Sequence, residues 1–278
     1  MQIDGWKYYN HAAIPTTAPH EDVDVQPIAD GTIWKMPGAP LLARWTTEFD
    51  CGYETNWWYV IKDTPFDINA LKSKRRYEIN KGTKNFDVKE IEATDYAEEL
   101  YAVQISAFSA YPEKYRPTVN KGVFMSSVKQ WNHYVCVGAF WRETNELCGY
   151  ALLTRESEKY TALNVLKTKP ECEKFGVNAA LVVGILQIFD LFLTIGGYIC
   201  DGTRNVNHET NFQDYLEKYF GFRKAYCKLH IRYNHKMKWI IKLTYHIRWF
   251  LLKFDRIGIV HSLNAVLRME AIYREDNK

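Results

Sequence analysis

The apolar residues of this chain follow two spacings that predict different elements. Runs rich in aromatic and β-branched residues predict strands, and apolar residues three and four positions apart predict helices. From residue 86 to residue 233 these patterns occur in the order β-α-α-β-β-β-α-β-α-β, and two helices follow at about 236–254 and 260–274. We therefore expect an α/β (α+β) fold with a mixed sheet and helices on its faces.

The middle of the chain holds the clearest patterns. They predict a strand at 86–91, helices at 95–110 and 119–130, a meander of strands at 133–141, 147–154 and 160–167, a buried helix at 176–194, a strand at 197–201, a short helix that ends at Gly221, and a strand at 222–233. The apolar stretch 175–200 is long enough to suggest a membrane span. Asp190 and the Gly196-Gly197 pair make insertion unfavourable, so we predict a buried helix and a buried strand.

The patterns before residue 86 are weaker. They predict strands at 41–49 and 57–61 and a helix over Ile68–Lys81, with Asp67 as its N-cap and Gly82 as the residue that ends it. The stretch in front of these elements is polar and rich in proline and acidic residues. It predicts a solvated loop over the first 30 residues.

Composition and charge narrow the class of protein. Of the 278 residues, 47% are hydrophobic, 25% charged and 15% aromatic, which is typical of a globular chain rather than a disordered one. The net charge of +3 and the pI of about 8.4 are too mild for a nucleic-acid-binding domain. The six cysteines contain no C-x-x-C pair, and the N-terminus lacks the features of a signal peptide. We expect reduced cysteines, no metal and a cytoplasmic protein.

The loop before the buried helix is the first candidate binding site. Residues 173–179 are Glu-Lys-Phe-Gly-Val-Asn-Ala, and they resemble the Q/R-x-x-G-x-G/A loop of GNAT acyltransferases, whose element order the chain shares. In that family the backbone amides of the loop hold the pyrophosphate of coenzyme A at a helix N-terminus. The resemblance implies that Lys174, Gly176, Val177 and Asn178 bind acyl-CoA as a co-substrate. The first and sixth loop positions depart from the pattern, so an ordinary helix start remains the alternative.

The second candidate lies on the short helix. The segment Tyr215-Leu-Glu-Lys-Tyr-Phe-Gly-Phe222 resembles the Y-x-K-x-G-F ending of the corresponding GNAT helix, with one extra residue. In the family a tyrosine on this helix protonates the leaving thiolate, which implies a catalytic role for Tyr215 or Tyr219. The alternative is that both rings belong to the core.

Two further segments resemble a branch of the same superfamily. The basic helix Lys72-Ser-Lys-Arg-Arg-Tyr-Glu-Ile-Asn-Lys-Gly82 and the segment 221–226 are similar to those of FemABX peptidyltransferases and their relatives in cell-surface polysaccharide loci. Those proteins carry an added GNAT-like half and transfer amino acids from aminoacyl-tRNA to a lipid-linked peptidoglycan precursor. The resemblance implies a loop region at 1–30, a partial GNAT-like half at 31–84, the acyltransferase domain at 85–234 and C-terminal helices at 235–278.

The basic helix is also a candidate anion site by its residues alone. Lys74, Arg75 and Arg76 lie on adjoining positions of one helix, and the arginine fork suits phosphate groups. We expect these three residues to bind the substrate. The alternative is a solvated helix in which Lys74 pairs with Glu78 at i,i+4.

The strongest candidate site follows the strand at 197–201. The segment 201–209, Asp-Gly-Thr-Arg-Asn-Val-Asn-His-Glu, places a dense polar cluster directly after an apolar run. Acylation of an amine needs a base, and His208 or Glu209 suits that role, with Asp201 and Arg204 as substrate contacts. The alternative is structural: Asp201 pairs with Arg204, and the other two side chains decorate the approach to the next helix.

The C-terminal helix at 236–254 carries a basic stripe among many apolar residues. The stripe consists of Lys238, Lys242, His246, Lys253 and Arg256. Such a helix either packs between elements or in an oligomer contact, or lies in a membrane interface with its basic edge toward anionic headgroups.

The function we expect is a cytoplasmic N-acyltransferase that moves an acyl group from acyl-CoA to an amine of a cell-envelope or polysaccharide precursor, either a small molecule or lipid-linked. Two alternatives stay open: a FemABX-type transferase that uses aminoacyl-tRNA, and a non-catalytic GNAT-fold module that binds a membrane or a protein partner. We expect direct transfer, because no cysteine or serine sits in a recognisable nucleophile setting. Peripheral contact with the inner face of the membrane through 236–256, tRNA binding through 72–84 and a homo-oligomer also remain open.

Overall fold

The computed structural model describes residues 3–111, 113, 116–206 and 211–276. Two of the predicted site residues, His208 and Glu209, lie outside the described residues. The chain divides into two compact units: the first unit comprises Met1–Val60, Thr203–Thr210 and Lys224–Lys278, and the second unit comprises Ile61–Gly202 and Asn211–Arg223. The predicted domain ranges follow the chain in order, and they stay a prediction.

The strands and helices are as follows. The strands are β1 (Trp6–Tyr9), β2 (Ala12–Pro15), β3 (Leu42–Thr47), β4 (Trp57–Lys62), β5 (Phe86–Glu90), β6 (Tyr134–Trp141), β7 (Leu147–Arg155), β8 (Tyr160–Thr168), β9 (Tyr198–Thr203) and β10 (Arg223–Tyr233). The helices are α1 (Gln26–Ala29), α2 (Ser73–Asn85), α3 (Ala97–Ser109), α4 (Lys121–Val128), α5 (Pro170–Glu173), α6 (Val177–Ile188), α7 (Asp190–Thr194), α8 (Phe212–Phe220), α9 (His235–Thr244), α10 (Arg248–Leu251) and α11 (Gly258–Asp276). The predicted α/β fold with a mixed sheet is confirmed.

The first unit contains strands that the sequence did not reveal. β1 and β2 form an antiparallel hairpin, and β2 pairs in parallel with β3, which pairs with β10. Trp6 and Ala13 are buried in the same apolar cluster as Ile33, and the Trp6 indole donates to the Asp24 carbonyl at 3.0 Å. The prediction of a solvated loop over the first 30 residues is therefore wrong. Strands of four residues are too short for their apolar positions to outweigh the surrounding proline and acidic residues.

The basic helix begins and ends later than predicted. Asp67 does act as a cap, because its carboxylate accepts from the Asn69 amide, but it caps a short 3-10 turn over Ile68–Ala70. α2 then runs through Gly82 instead of ending there. A glycine after a basic helix is typical of a helix end, but here the contacts of α2 with another helix decide its length.

The second unit contains the meander as predicted, but the buried helix predicted at 176–194 is divided at Phe189 into α6 and α7. β6, β7 and β8 pair antiparallel in order, and β5 pairs with β6. α6 is buried along nearly its whole length, and Gly221 ends α8 in the left-handed conformation. None of the described helices is both long and apolar enough to span a membrane.

The C-terminal helix at 236–254 is broken into pieces. α9 is followed by a 3-10 turn at Tyr245–Ile247, then by α10 and a second 3-10 turn at Leu252–Phe254. The basic stripe was predicted for one continuous α-helix, and the 3-10 turns change the rotation per residue after Thr244. α11 covers the second predicted helix, at 260–274.

Candidate functional site

The second unit opens between β8 and β9. The two strands are parallel, and among the described residues their register extends only from Tyr160 opposite Tyr198 to Ala162 opposite Cys200. Beyond that point β8 continues for six residues to Thr168 without a pairing to β9. Leu163 and Leu166, which follow in an interior strand, are only partly buried. Parallel strands that separate toward their carboxyl ends make a crevice of the kind that binds ligands in open α/β sheets.

Asp201 is the first residue of β9 beyond this pairing. Its carboxylate accepts a hydrogen bond from the Gln213 side-chain amide at 3.3 Å, and Gln213 lies in the first turn of α8. Burial raises the pKa of the Asp201 carboxyl to about 7, and the bond from Gln213 offsets part of that rise. A carboxyl group with this pKa exchanges its proton near neutral pH, as a general base requires.

A cavity of about 480 Å³ lies in the same unit, where three helices meet. It is lined by residues of α2, of α8 and of the turn from α5 into α6: Glu78, Glu173, Gly176, Asn178, Ala179, Phe212, Tyr215 and Tyr219. The sequence placed Gly176 and Asn178 in one candidate site and the two tyrosines in another. The fold brings them together in one cavity.

Two glycines allow α2 to approach the start of α6, beside this cavity. Gly176 is the N-cap of α6 and has a positive φ of 89°. A Cβ atom at Gly82 of α2 would lie 2.4 Å from the Gly176 carbonyl oxygen and 3.0 Å from the Ala180 nitrogen. The Asn85 side chain adds a hydrogen bond to the Phe175 carbonyl at 3.1 Å. The backbone of α2 is thus held directly against the start of α6.

The cavity is acidic and aromatic. Glu78 and Glu173 supply two carboxylates, and no lysine or arginine is among the lining residues of the described chain. The ring centroids of Tyr215 and Tyr219 are 5.1 Å apart, and Phe212 is 6.2 Å from Tyr215. Carboxylates beside aromatic rings attract cations by charge and by the negative face of the ring.

Tyr215 holds its hydroxyl proton firmly. Burial raises the pKa of Tyr215 above its ordinary value, and the neighbouring Tyr219 and Glu78 raise it further. The tyrosine is therefore neutral at physiological pH and has a proton to donate. It remains a candidate for both hydrogen bonding and proton donation.

The other predicted cofactor residues divide between cavity and core. Asn178 lines the cavity and accepts from the Thr168 hydroxyl at 2.9 Å. The Val177 side chain is fully buried, which leaves only its backbone for a ligand. Lys174 is exposed, and its ammonium lies 4.9 Å from the centroid of the adjacent Phe175 ring instead of among the lining residues.

The basic residues of α2 flank the cavity. The Arg75 guanidinium lies 5.8 Å from the centroid of the lining Tyr219 ring, whereas Arg76 donates to the Asn69 carbonyl at 3.3 Å. Lys74 is exposed and forms no ion pair with Glu78, although both residues are described. Among Lys74, Arg75 and Arg76, it is thus Arg75 that contacts a residue of the cavity lining.

Arg204 belongs to a cluster in the first unit. Its guanidinium lies 4.3 Å from the centroid of the Trp58 ring, and it donates to the Asn56 carbonyl. Its backbone amide donates to the Trp58 carbonyl at 2.9 Å. These contacts fit a structural role, and a role in substrate binding stays a prediction.

Three observations bear on covalent or metal chemistry. The cysteines at 136, 148, 172, 200 and 227 are buried, and burial raises the thiol pKa of Cys136, Cys148 and Cys200 to about 12. A thiol with this pKa is a poor nucleophile at neutral pH. Within the described ranges no group of three or more histidine, cysteine and acidic side chains is arranged to hold a metal ion.

The sequence did not single out Glu78 or Phe212 as site residues. Glu78 stood only as a partner for Lys74, and Glu173 only as a departure from the loop pattern. That departure was the one feature of the sequence that could have indicated an acidic site, because an acidic residue at a phosphate-binding position changes the charge of the ligand that fits.

Comparison with known proteins supports the fold. No family model matches the sequence, and no curated protein does. The C-terminal domain of a putative lysylphosphatidylglycerol synthetase from Agrobacterium fabrum is similar with a TM-score of 0.52 and 12% identity, over 85% of this chain and 82% of that one. FemX is similar with a TM-score of 0.52 and 8% identity, over 86% and 85% of the two chains. The chain therefore shares the fold of these two proteins, as its resemblance to FemABX enzymes implied.

Proposed function

We propose that the protein is an aminoacyl transferase whose donor group carries a positive charge, and that it acts on a cell-envelope precursor. The observation that carries this proposal is the acidic, aromatic cavity at the start of α6. Glu78 and Glu173 would face the ammonium group of the donor, and Tyr215 and Tyr219 would contact its aliphatic chain.

The same cavity argues against coenzyme A as the donor. A pyrophosphate needs free amides and positive charge at the helix N-terminus. Here Gly82 of α2 lies against Gly176, and the two lining carboxylates would repel phosphate oxygens. These residues favour a cationic group over a pyrophosphate at this position.

The fold neighbours suggest the kind of donor. The name of one neighbour, a lysylphosphatidylglycerol synthetase, describes an enzyme whose product contains a lysyl group. A lysyl ester has the cationic side chain that two carboxylates and aromatic rings favour. We therefore infer a basic aminoacyl ester as the donor and an amine as the acceptor.

The chemistry needs one proton acceptor. The acceptor nitrogen would attack the ester carbonyl carbon, the new C–N bond would form, and the ester C–O bond would break. Asp201, with its pKa near 7, would take the proton from the nitrogen, and the leaving oxygen would gain a proton from Tyr215 or from solvent. No covalent enzyme intermediate is required.

The test is a calorimetric titration with L-lysinamide as a mimic of the donor, with L-norleucinamide, which has the same α-amino group but an uncharged side chain, as the control. Each exposed carboxylate–ammonium pair contributes up to about 1 kcal/mol, so two pairs predict that lysinamide binds more tightly by up to about 30-fold. The double variant Glu78→Gln/Glu173→Gln should abolish the preference. Glu99→Gln, which removes an exposed carboxylate on α3 outside the cavity lining, should retain it.

Acetyl-coenzyme A decides between the two donor classes. We expect no binding to the wild type. Binding of acetyl-coenzyme A that strengthens in the double glutamine variant, together with equal binding of the two amides, would contradict the proposal and support an acyl-CoA donor.

A further inference from the structure

The C-terminal segment 235–259 of the first unit has apolar side chains that pack against the protein and others that are exposed. α9 buries Met237 and Ile241, one turn apart, against Leu267 of α11. Tyr245 and Leu251 extend this contact as partly buried neighbours. The segment therefore already has an apolar face that anchors it to the protein.

A second apolar face of the same segment is uncovered. Its members are exposed large side chains: Trp239, Ile240, Leu243, Ile247, Trp249, Phe250, Phe254, Ile257 and Ile259. They make up nine of the 21 exposed large hydrophobic residues in the described part of the chain. We call this set the exposed apolar face. Scattered apolar residues are normal on a surface, but a concentration of this kind marks an interaction site.

The exposed apolar face is accompanied by positive charge. The segment holds six lysine and arginine residues and one acidic residue, Asp255. Asp255 is engaged within the protein, since it accepts from Asn264 at 2.7 Å and contacts His261 at 2.9 Å. The exposed cations are Lys236, Lys238, Lys242, Lys253 and Arg256, and none has an ion-pair partner among the described residues.

Cations and aromatic rings are interleaved on this surface. The Lys242 ammonium lies 5.1 Å from the centroid of the Trp239 ring, and the Arg248 guanidinium lies 5.0 Å from that of Trp249. Tryptophan favours the headgroup level of a bilayer, and lysine and arginine beside it reach anionic phosphates. The combination is typical of a helix that lies in a membrane interface.

We propose that the segment 235–259 is a docking surface for an anionic lipid bilayer. A second copy of the chain fits less well, because a symmetric contact would place the same unpaired cations of two copies against each other. An anionic bilayer offers charge of the opposite sign together with an apolar layer. This inference rests on no step of the proposed transfer.

The test is co-sedimentation of the full chain with vesicles. Vesicles of phosphatidylcholine with about one third phosphatidylglycerol should bind the protein, vesicles of phosphatidylcholine alone should bind it at least about tenfold less, and added salt should release it. Lys238→Gln/Lys242→Gln should weaken binding roughly 25-fold, at about fivefold for each cation. Trp249→Ser/Phe250→Ser should weaken it at least about tenfold, because it removes apolar contact.

Matched variants control for charge and hydrophobicity in general. Lys129→Gln/Lys159→Gln removes two exposed lysines, and Leu191→Ser/Ile195→Ser removes two exposed apolar side chains, all from the second unit. Both control variants should bind vesicles like the wild type. A thermal melt of each variant confirms that it is folded.

Two results would overturn the proposal. One is equal binding to both kinds of vesicle, or to neither. The other is a dimer in light scattering that Trp249→Ser/Phe250→Ser converts to a monomer while vesicles leave the wild type in solution. That outcome would make the exposed apolar face a contact between copies of the chain.

Discussion

Replacement of Gly82 by alanine tests whether the contact between α2 and α6 shapes the cavity. In an ordinary helix interior this substitution stabilises a protein by up to about 1 kcal/mol, because alanine has the higher helix propensity. At Gly82 the new methyl group would lie 2.4 Å from the Gly176 oxygen and 3.0 Å from the Ala180 nitrogen. Both neighbours are backbone atoms, so no side-chain rotation relieves the clash.

The magnitude follows from these distances. Carbon atoms essentially never approach such neighbours closer than 3.0 Å, so the two helices must separate by at least about 0.6 Å at this point. Overpacking of a close contact costs about 1–3 kcal/mol, and the gain in propensity offsets part of that cost. We expect Gly82→Ala to lower the free energy of unfolding by about 1–2 kcal/mol, or the melting temperature by roughly 2–8 °C.

The assay is chemical denaturation beside the matched variant Gly122→Ala. Gly122 also lies in a helix, α4, but its nearest neighbour would be the Asn120 side-chain oxygen at 3.4 Å, an ordinary contact. Gly122→Ala should therefore leave stability unchanged or raise it. Gly82→Ala should in addition weaken binding of L-lysinamide, because the displaced helices carry Glu78 and Gly176 of the cavity lining. Equal stabilisation by the two alanine variants would refute a close contact between α2 and α6.

Two further substitutions probe Asp201 and Arg204. Folding raises the pKa of Asp201 from 3.8 to about 7, so the folded protein binds the extra proton between these values and stability falls as the pH rises through this window. Asp201→Asn should therefore be more stable than the wild type at pH 8, by up to about 4 kcal/mol in denaturant titrations, and should lose this advantage toward pH 4. The transfer activity of the variant should fall. A difference in stability that does not change with pH would contradict the raised pKa of Asp201. Arg204→Lys should destabilise the first unit by about 1–2 kcal/mol in thermal melts, because lysine lacks the planar group that stacks on Trp58. The binding of lysinamide should stay unchanged. Weaker binding of lysinamide by a fully stable variant would place Arg204 in the donor site.

The sequence predicted those parts of the fold whose apolar pattern is continuous. α6 and the strands β6 and β7 are buried along most of their length, and long apolar runs leave few alternatives for them. The sequence did not predict β1 and β2, because β1 buries only Trp6 and β2 buries only Ala12 and Ala13. Helix ends set by tertiary contact, such as the passage of α2 through Gly82, are invisible to local patterns.

The candidate site was predicted in parts but not as a whole. The loop pattern located Gly176 and Asn178, and the aromatic helix located Tyr215 and Tyr219. Glu78 comes from a segment almost a hundred residues before the loop, and its position beside Glu173 depends on the packing of α2 on α6. The charge of the cavity lining is thus a property of the assembled unit.

The contact of α2 with α6 would also allow a helix N-terminus to lie beside the cationic donor that we propose. The N-terminus of a helix carries a partial positive charge and favours an anion within its first turn. Glu173 lies three residues before the Gly176 N-cap, and Glu78 lies one turn before Gly82 on the helix that touches it. These two carboxylates can satisfy the helix end in the place of a bound pyrophosphate. Because their charge exceeds the partial charge of one helix end, the side chains that line the cavity keep a negative balance, which in the proposed reaction a basic aminoacyl group would neutralise and a phosphate would not.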